Sequence, residues 1–456
     1  MSDVSTKHPA LSAVADDWAL IDALNGGTKA MRAAGDRYMP KWPLEDDAGY
    51  KTRLAVSTLF PAYSETIATM VGRVFSKPLK VSNDVPTEIA GTVLQNVDLE
   101  GRNIDVFARD WFESAMNYGL SHTLIDYPRA NGARTLADER LSGARPYVVL
   151  VQPRQVLGWR SAKVAGTERL TQFRFIETVS EDDGDFGMAT AEQIRVLEPG
   201  SCRLYRRLNG NGDWTLTDEF ATTLDVIPLV TLYTNRTGFM QGRPPLIELA
   251  HLNVKHWQSQ SDQDTILHTA RVPLLARIGA GTAIDSSGNA VEMQIGGSLV
   301  DLPADGDLKY VEHTGAAIGA GQSSIEALEQ QMQTAGAKLL TKTVLSLAET
   351  QAADERAKET SRLGVMAQGL EDSLDRVLDF AAMWMQLGDD GGHIDVEADL
   401  DTDAAPAQTM DVLLKMVAQG VLSSETAFRE AQRRGLVSDE VEWGAEVERI
   451  RNQVTA

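Results

Sequence analysis

The side chains best able to ligate a metal or act as nucleophiles are seven histidines and one cysteine, and their spacing sets the first limits. His251, His256 and His268 fall in one candidate helix, but separations of five and twelve residues do not bring them to one face, as a metal pair requires. They read as polar surface or interface residues. Cys202 is alone, which excludes an intramolecular disulfide and a cysteine-based zinc site; it reads as a small apolar filler in a strand and fits a reducing compartment. Gly26-Gly-Thr-Lys29 lacks the upstream glycine and the Lys-Ser/Thr pair of a phosphate loop. There is no His-Glu-x-x-His and no Gly-x-Ser-x-Gly elbow. Gly279-Ala-Gly281 and Gly319-Ala-Gly321 read as turns, since neither follows a strand and opens a helix in the dinucleotide-binding pattern. The acids Asp389, Asp390, Asp395, Glu397, Asp399, Asp401 and Asp403 could hold a divalent ion weakly, but the spacing of a calcium loop is absent and a solvated linker is expected. No catalytic, cofactor-binding or metal-ligating residue is therefore assigned, no cofactor is expected, and the chain does not read as an enzyme.

The elements must then be read for shape. At 456 residues, 43% hydrophobic and 24% charged, the chain can bury two or three domain cores. A formal charge of -22 argues against a protein that grips nucleic acid by neutralising phosphates. No apolar run follows a basic start at Met1, so no signal peptide is expected. The longest apolar runs, Tyr147 to Val151 and Phe380 to Met385, are far short of a bilayer span, so the expectation is a protein made in a cytoplasm with no membrane partner.

Helical periodicity covers residues 11–39, broken at Gly26-Gly27, then 47–75 and 103–118. The middle of the chain alternates as strands: 123–126, 146–151, 155–159, 170–179, 193–198, 201–208 and 213–217, with an acidic loop at 180–187. Asn209-Gly210 marks a hairpin, and Pro228 marks 226–233 as an edge strand. The fold class is α+β: helices first, then an antiparallel or mixed sheet packed on them. A long helix follows from Leu246 to Thr269, polar on every side beyond Trp257, so that neighbouring chains are expected to supply its contacts. Residues 273–322 form a Gly-rich strand-and-turn module bearing Asp285, Glu292, Asp301, Asp305, Asp307 and Glu312.

Two amphipathic helices come next. The first carries the stripe Ile325, Leu328, Met332, Ala335 and Leu339; the second carries Leu363, Met366, Leu370, Leu374, Val377, Ala381 and Met385. Between them the run from Glu349 to Ser361 has no large apolar residue to anchor a core. Two or three short helices close the chain, the first ending at Gly420 and the next capped by Ser423 or Ser424.

This order of parts resembles the bacteriophage portal proteins, the head-to-tail connectors. Arg243-Pro-Pro-Leu-Ile-Glu-Leu-Ala-His-Leu-Asn-Val-Lys-His-Trp-Gln-Ser-Gln-Ser-Asp262 looks like the segment that opens the first stem helix in a siphophage-type branch of that family. Ile227 to Tyr233, Glu349-Thr-Gln-Ala-Ala353 and Glu359-Thr-Ser-Arg-Leu363 are similar to that branch too. The resemblance implies a wing at 1–243, a first stem helix at 244–272, a clip at 273–322, a second stem helix at 323–342, a tunnel loop at 343–358, a long kinked helix at 359–388, and an acidic linker with a helical crown at 389–456. It also implies a dodecameric ring at one capsid vertex of the virion, assembled in a bacterial cytoplasm. Its partners would be the major capsid protein, the terminase large subunit that packages DNA, a head–tail adaptor, and double-stranded DNA that passes without tight binding.

On that reading Lys338, Lys342, Glu349, Asp354, Glu355, Arg356 and Lys358 are the candidate channel and tunnel-loop residues, with ordinary salt bridging between subunits as the alternative for the basic ones. The six acids of the clip are candidate channel lining, an acidic wall that repels a moving duplex over roughly 8 Å at physiological salt. Two other classes stay open: a virion scaffold that dimerises through 323–387 as a helical hairpin, and a metal-dependent phosphodiesterase using the acids of 389–403.

Overall fold

The computed structural model describes residues 3–128, 143–207, 212–270, 274–278, 307–311, 316–339, 342–343, 360–398, 415–417, 419–420, 422–433 and 441–454. Residues 1–399 and 400–456 are two separate units. In the first, Pro9 starts α1 (Pro9–Asn25), with His8 Nδ1 accepting from the Ala10 amide as a cap. The Gly26-Gly27 break separates it from α2 (Gly27–Ala34). The block read as one helix over 47–75 is two, α3 (Asp47–Val56) and α4 (Ala62–Val74). Pro61 cannot donate a helical hydrogen bond, so the chain turns there and restarts. Phe60 lies exposed in that break.

A two-residue strand, β1 (Lys80–Val81), leads to α5 (Ile104–Tyr118). Asn103 caps α5 by accepting from the Val106 amide, and Gly119 ends it in the left-handed region at φ +86°. Phe107, Trp111, Phe112 and Ala115 make its buried side. The chain turns directly into β2 (Leu120–Asp126), which pairs antiparallel with β3 (Tyr147–Val151) on one side.

Strands β4 (Val156–Val164), β5 (Thr167–Asp183), β6 (Gly187–Glu198), β7 (Ser201–Arg207) and β8 (Trp214–Ala221) form a second, five-stranded antiparallel meander. Phe173, Phe175 and Cys202 are buried on one face of it and Ile194 and Val196 on the other, so the cysteine is the strand filler expected. The acidic loop expected at 180–187 is mostly strand. Ser180 to Asp183 pair with Thr190 to Gly187, because a ribbon's ladder needs only main-chain groups and tolerates acids that point to solvent. Arg195 ties the two sheets together, 2.5 Å from Asp126 and 3.1 Å from Glu177.

The chain returns as β9 (Leu229–Tyr233), which pairs on the other side of β2, so the first sheet runs β3-β2-β9 with β9 at its edge. Every residue of β2 from Leu120 to Ile125 is buried, whichever face it points to. A small hairpin, β10 (Arg236–Gly238) with β11 (Gln241–Gly242), opens onto α6 (Ile247–Ala270).

Then come β12 (Leu274–Ile278) and β13 (Asp307–Val311), an antiparallel pair, followed by α7 (Ala316–Ala337). Strands β14 (Lys342–Thr343) and β15 (Thr360–Ser361) pair antiparallel just before α8 (Arg362–Met385). Helix α8 packs on β9 and β2, and its stripe from Leu363 to Ala381 is buried. Residues 391–398, expected to be linker, instead return to the body: β16 (Ile394–Asp395) pairs antiparallel with β1.

In the second unit Ser423 Oγ accepts from the Thr426 amide at the start of α9 (Ser424–Arg433), and Phe428 packs on Trp443 at the start of α10 (Trp443–Val454). No helix of the described residues is long and apolar enough to cross a membrane.

Candidate functional site

The segment from α6 to α8 carries most of the residues singled out by sequence. Helix α6 has 24 residues and α7 has 22, so each spans about 33–36 Å at 1.5 Å per residue. They run antiparallel: Gln263 Nε2 donates to the Ile318 carbonyl, while His256, earlier in α6, faces Glu329, later in α7, at 3.3 Å. The close approach has a sequence cause. At Gly321 a Cβ would stand 2.1 Å from Gln263 Oε1, so a larger residue there would displace the end of the Gln263 side chain. Gly319 and Gly321, read as turn residues, therefore lie inside α7, which starts at Ala316 rather than near Ser323.

Several polar side chains of α6 find partners within their own chain. Asn253 is wholly buried and bridges the α3–α4 break: its Oδ1 accepts from the Tyr63 amide at 3.0 Å and its Nδ2 donates to the Phe60 carbonyl at 2.9 Å. Gln258 donates to the Tyr38 carbonyl, and Ser261 meets Ser57. His256 is buried rather than at a surface, whereas His251 and His268 are exposed. Ile325, Leu328 and Met332 of α7 and Leu339 just after it are likewise buried inside the chain, where α7 packs on α6 and α4.

Helices α7 and α8 are joined through a closed base. The Leu363 amide donates to the Leu339 carbonyl at 3.0 Å, and the pairs Lys342 with Ser361 and Thr343 with Thr360 bring the two ends together. Lys338 is exposed in the turn that follows α7, and Lys342 sits in β14. Glu349, Asp354, Glu355, Arg356 and Lys358 lie outside the described residues. Asp307 begins β13; Asp285, Glu292, Asp301, Asp305 and Glu312 lie outside the described residues. The structure thus brings Lys338 and Lys342 near one base and leaves Asp307 on a separate hairpin beyond the other helix ends.

A second constellation was not foreseen from the sequence. Glu371 and Asp375, one turn apart on α8, meet His393 and Asp395 on the returning segment. His393 Nδ1 is 2.6 Å from Asp375 Oδ2; His393 Nε2 is 3.2 Å from both Glu371 Oε1 and Asp395 Oδ1. Asp375 Oδ1 also accepts from the Ile394 amide. The hydrogen bond to Asp375, followed by the charge of the same carboxylate and by Asp395, holds the His393 imidazole above its ordinary range against burial. Burial pushes the Glu371 carboxyl up, opposed by His393 and reinforced by Asp395 and Asp375. The signal that could have found this group is the i, i+4 acid pair on the polar side of the α8 stripe, together with a histidine inside an acidic run.

A cleft of about 340 Å³ between α1 and the sheets is lined by Trp18, His122, Trp159 and Arg243. His122 there is held neutral, its pKa pushed down to about 3 by burial.

A family profile matches α6 to α8. It is described as a domain of unknown function, DUF4055, and covers residues 245–385. No curated protein sequence matches the chain at a significant level. Among solved structures, the chain is similar to one described as the neck of an empty GTA particle computed with C6 symmetry, with a TM-score of 0.42 and 11% identity over 84% of this chain and 92% of that one. A second comes from the virion of a native gene transfer agent (GTA) particle, with a TM-score of 0.40 and 13% identity over 88% and 97%. A third is the neck of the native GTA particle computed with C12 symmetry, with a TM-score of 0.37 and 13% identity over 83% and 90%. The DUF4055 segment begins at Pro245, just before α6, and ends at Met385, the last residue of α8. It therefore includes the helix pair, both small strand pairs and Glu371 and Asp375, and stops before His393 and Asp395.

Proposed function

We propose that the chain is a portal-type subunit, forming a ring at one vertex of a phage-like particle through which double-stranded DNA enters during packaging and leaves during ejection. The observation that carries the reading is the unit α6, β12–β13, α7: an antiparallel pair of helices about 33–36 Å long with a strand hairpin inserted between them and a pinched base at the far end of α7. Such a unit has the proportions of a stem with a clip at one end and a loop at the other. In the ring, Lys338 and Lys342, with Glu349, Asp354, Glu355, Arg356 and Lys358, would face the lumen, and Asp285, Glu292, Asp301, Asp305, Asp307 and Glu312 would line the clip. A net charge of -22 suits a conduit that must not hold phosphates. The terminase large subunit, the major capsid protein and a head–tail adaptor would be its partners.

Because the α7 and α8 stripes are already buried, subunit contacts must come from other surfaces. Leu44, Val56, Phe60 and Trp42 are exposed apolar residues around α3, and Trp42, Leu44 and Val56 line a groove with Leu267 and His268 of α6; a second copy is the proposed occupant. The helical-hairpin scaffold is the weaker reading, since α7 packs on α6 and α4 while α8 packs on the sheet, so the two stripes serve different cores. Negative-stain microscopy of the purified full-length chain tests the proposal: particles with a central hole are expected, and solid particles of monomer or dimer size would overturn it.

A further inference from the structure

We propose that Glu371, His393 and Asp395 form a first-row divalent metal site, with Zn²⁺ the best-fitting ion, that fastens residues 391–398 to α8. A protonated imidazole and a carboxylate normally close to about 2.7–2.9 Å, and His393 Nδ1 does close on Asp375, at 2.6 Å. His393 Nε2 does not: it stands 3.2 Å from each of two carboxylate oxygens, one from α8 and one from β16. One proton at Nε2 would have to be shared between those two acids over long bonds. A cation at about 2.0–2.2 Å from each atom would bond all three, because ligand atoms around such an ion stand about 3–3.5 Å apart. Each carboxylate oxygen stands 3.2 Å from Nε2, which is the ligand-to-ligand spacing such a site needs.

Asp375 completes the pattern from outside. A metal-bound histidine commonly donates its other ring N–H to a carboxylate, which fixes the ring and raises its basicity. Asp375 is placed for that role at Nδ1, and its second oxygen holds the Ile394 amide, so the same side chain positions the histidine and the strand that carries it. Charge favours the assignment as well. Three carboxylates surround one imidazole, and Lys80 stands 3.7 Å from Asp395 at an exposed position. The ligand side chains are each partly open, between 27% and 41% exposed, so water can fill the remaining coordination positions. A nitrogen with two carboxylate oxygens suits Zn²⁺ or Mn²⁺ better than Mg²⁺, which prefers an all-oxygen shell.

The site's consequence is mechanical. Ligands from α8 and β16 joined by one ion would hold the short β1–β16 pair, which has only two residues on each strand, against opening. The experiment uses the untagged full-length protein after chelator treatment and dialysis, with Zn²⁺ as the probe. Chelator competition and metal analysis should give one Zn²⁺ per chain with an apparent Kd in the micromolar range or below. His393→Gln and Glu371→Gln should weaken binding at least tenfold, and Asp375→Asn about 10- to 100-fold. Hydrogen exchange over residues 391–398 should slow at least tenfold when Zn²⁺ is added to the wild type and not change in His393→Gln. Should that variant fail to fold, Asp395→Asn serves in its place. Wild-type binding that is no tighter than the variants', or exchange that Zn²⁺ leaves unchanged, overturns the proposal.

Discussion

Replacing Asn253 by alanine tests how α6 is held. Its amide is wholly buried in the second turn of the helix and makes two bonds to the α3–α4 break. Removing it orphans the Tyr63 amide, which sits in a fully buried residue, at about 1–3 kcal/mol for an unsatisfied buried donor. The Phe60 carbonyl loses one bond, worth about 1 kcal/mol, but keeps the Ala62 amide at 2.9 Å. The expected loss is therefore about 2–4 kcal/mol, and Asn253→Asp should be no better, since it keeps the acceptor for Tyr63 but cannot donate to Phe60 and adds a buried charge. Urea unfolding followed by tryptophan fluorescence reads it, because Trp257 lies one turn away and is itself buried. A loss below about 1 kcal/mol would refute the internal clamp and return the polar side of α6 to a contact between subunits.

Two further outcomes follow from the same geometry. Burial holds the His122 pKa down to about 3 from 6.5, so the unfolded chain takes up a proton that the folded chain refuses. Its contribution is fully present above pH 6.5 and is lost as pH falls toward 3, at up to about 1.4 kcal/mol per pH unit; the wild type should lose about 2 kcal/mol more than His122→Gln between pH 6.5 and 5 in urea titrations, and parallel curves would contradict this. Replacing residues 344–359 by Asn-Gly joins Thr343 to Thr360, already cross-strand partners, through a two-residue hairpin turn. The variant should keep its thermal midpoint and its assembled mass while failing to package or retain DNA; loss of the fold or the ring would make the segment structural.

The long elements were legible because their cause is local. The stripes of α7 and α8 and the Ser423 cap depend on neighbours a few residues away. What escaped depends on residues far apart in the chain. Gly319 and Gly321 read as turns because glycine is a poor helix former, yet Gly321 serves the packing of α7 on Gln263. The polar run after Trp257 looked unsupported, but Tyr38, Ser57 and Ile318 supply its partners. The strand within 180–187 has no apolar face to announce it. Of the candidate channel residues, Lys338 lies in the turn after α7 and Lys342 in β14, and the remaining tunnel-loop residues lie outside the described residues. The His393 group left only a partial trace, the i, i+4 acids of α8 and a histidine in an acidic run, since its members meet only after β16 has paired with β1.

The central claim is that copies of this chain close into a ring around DNA. The most direct measurement is the mass of the purified full-length protein by mass photometry and sedimentation over a wide concentration range. A dodecamer of a 49.6 kDa chain would have a mass of about 595 kDa, and a single closed species of that order, persisting on dilution, is the predicted result. A mass that stays at one or two chains at every concentration would contradict the account.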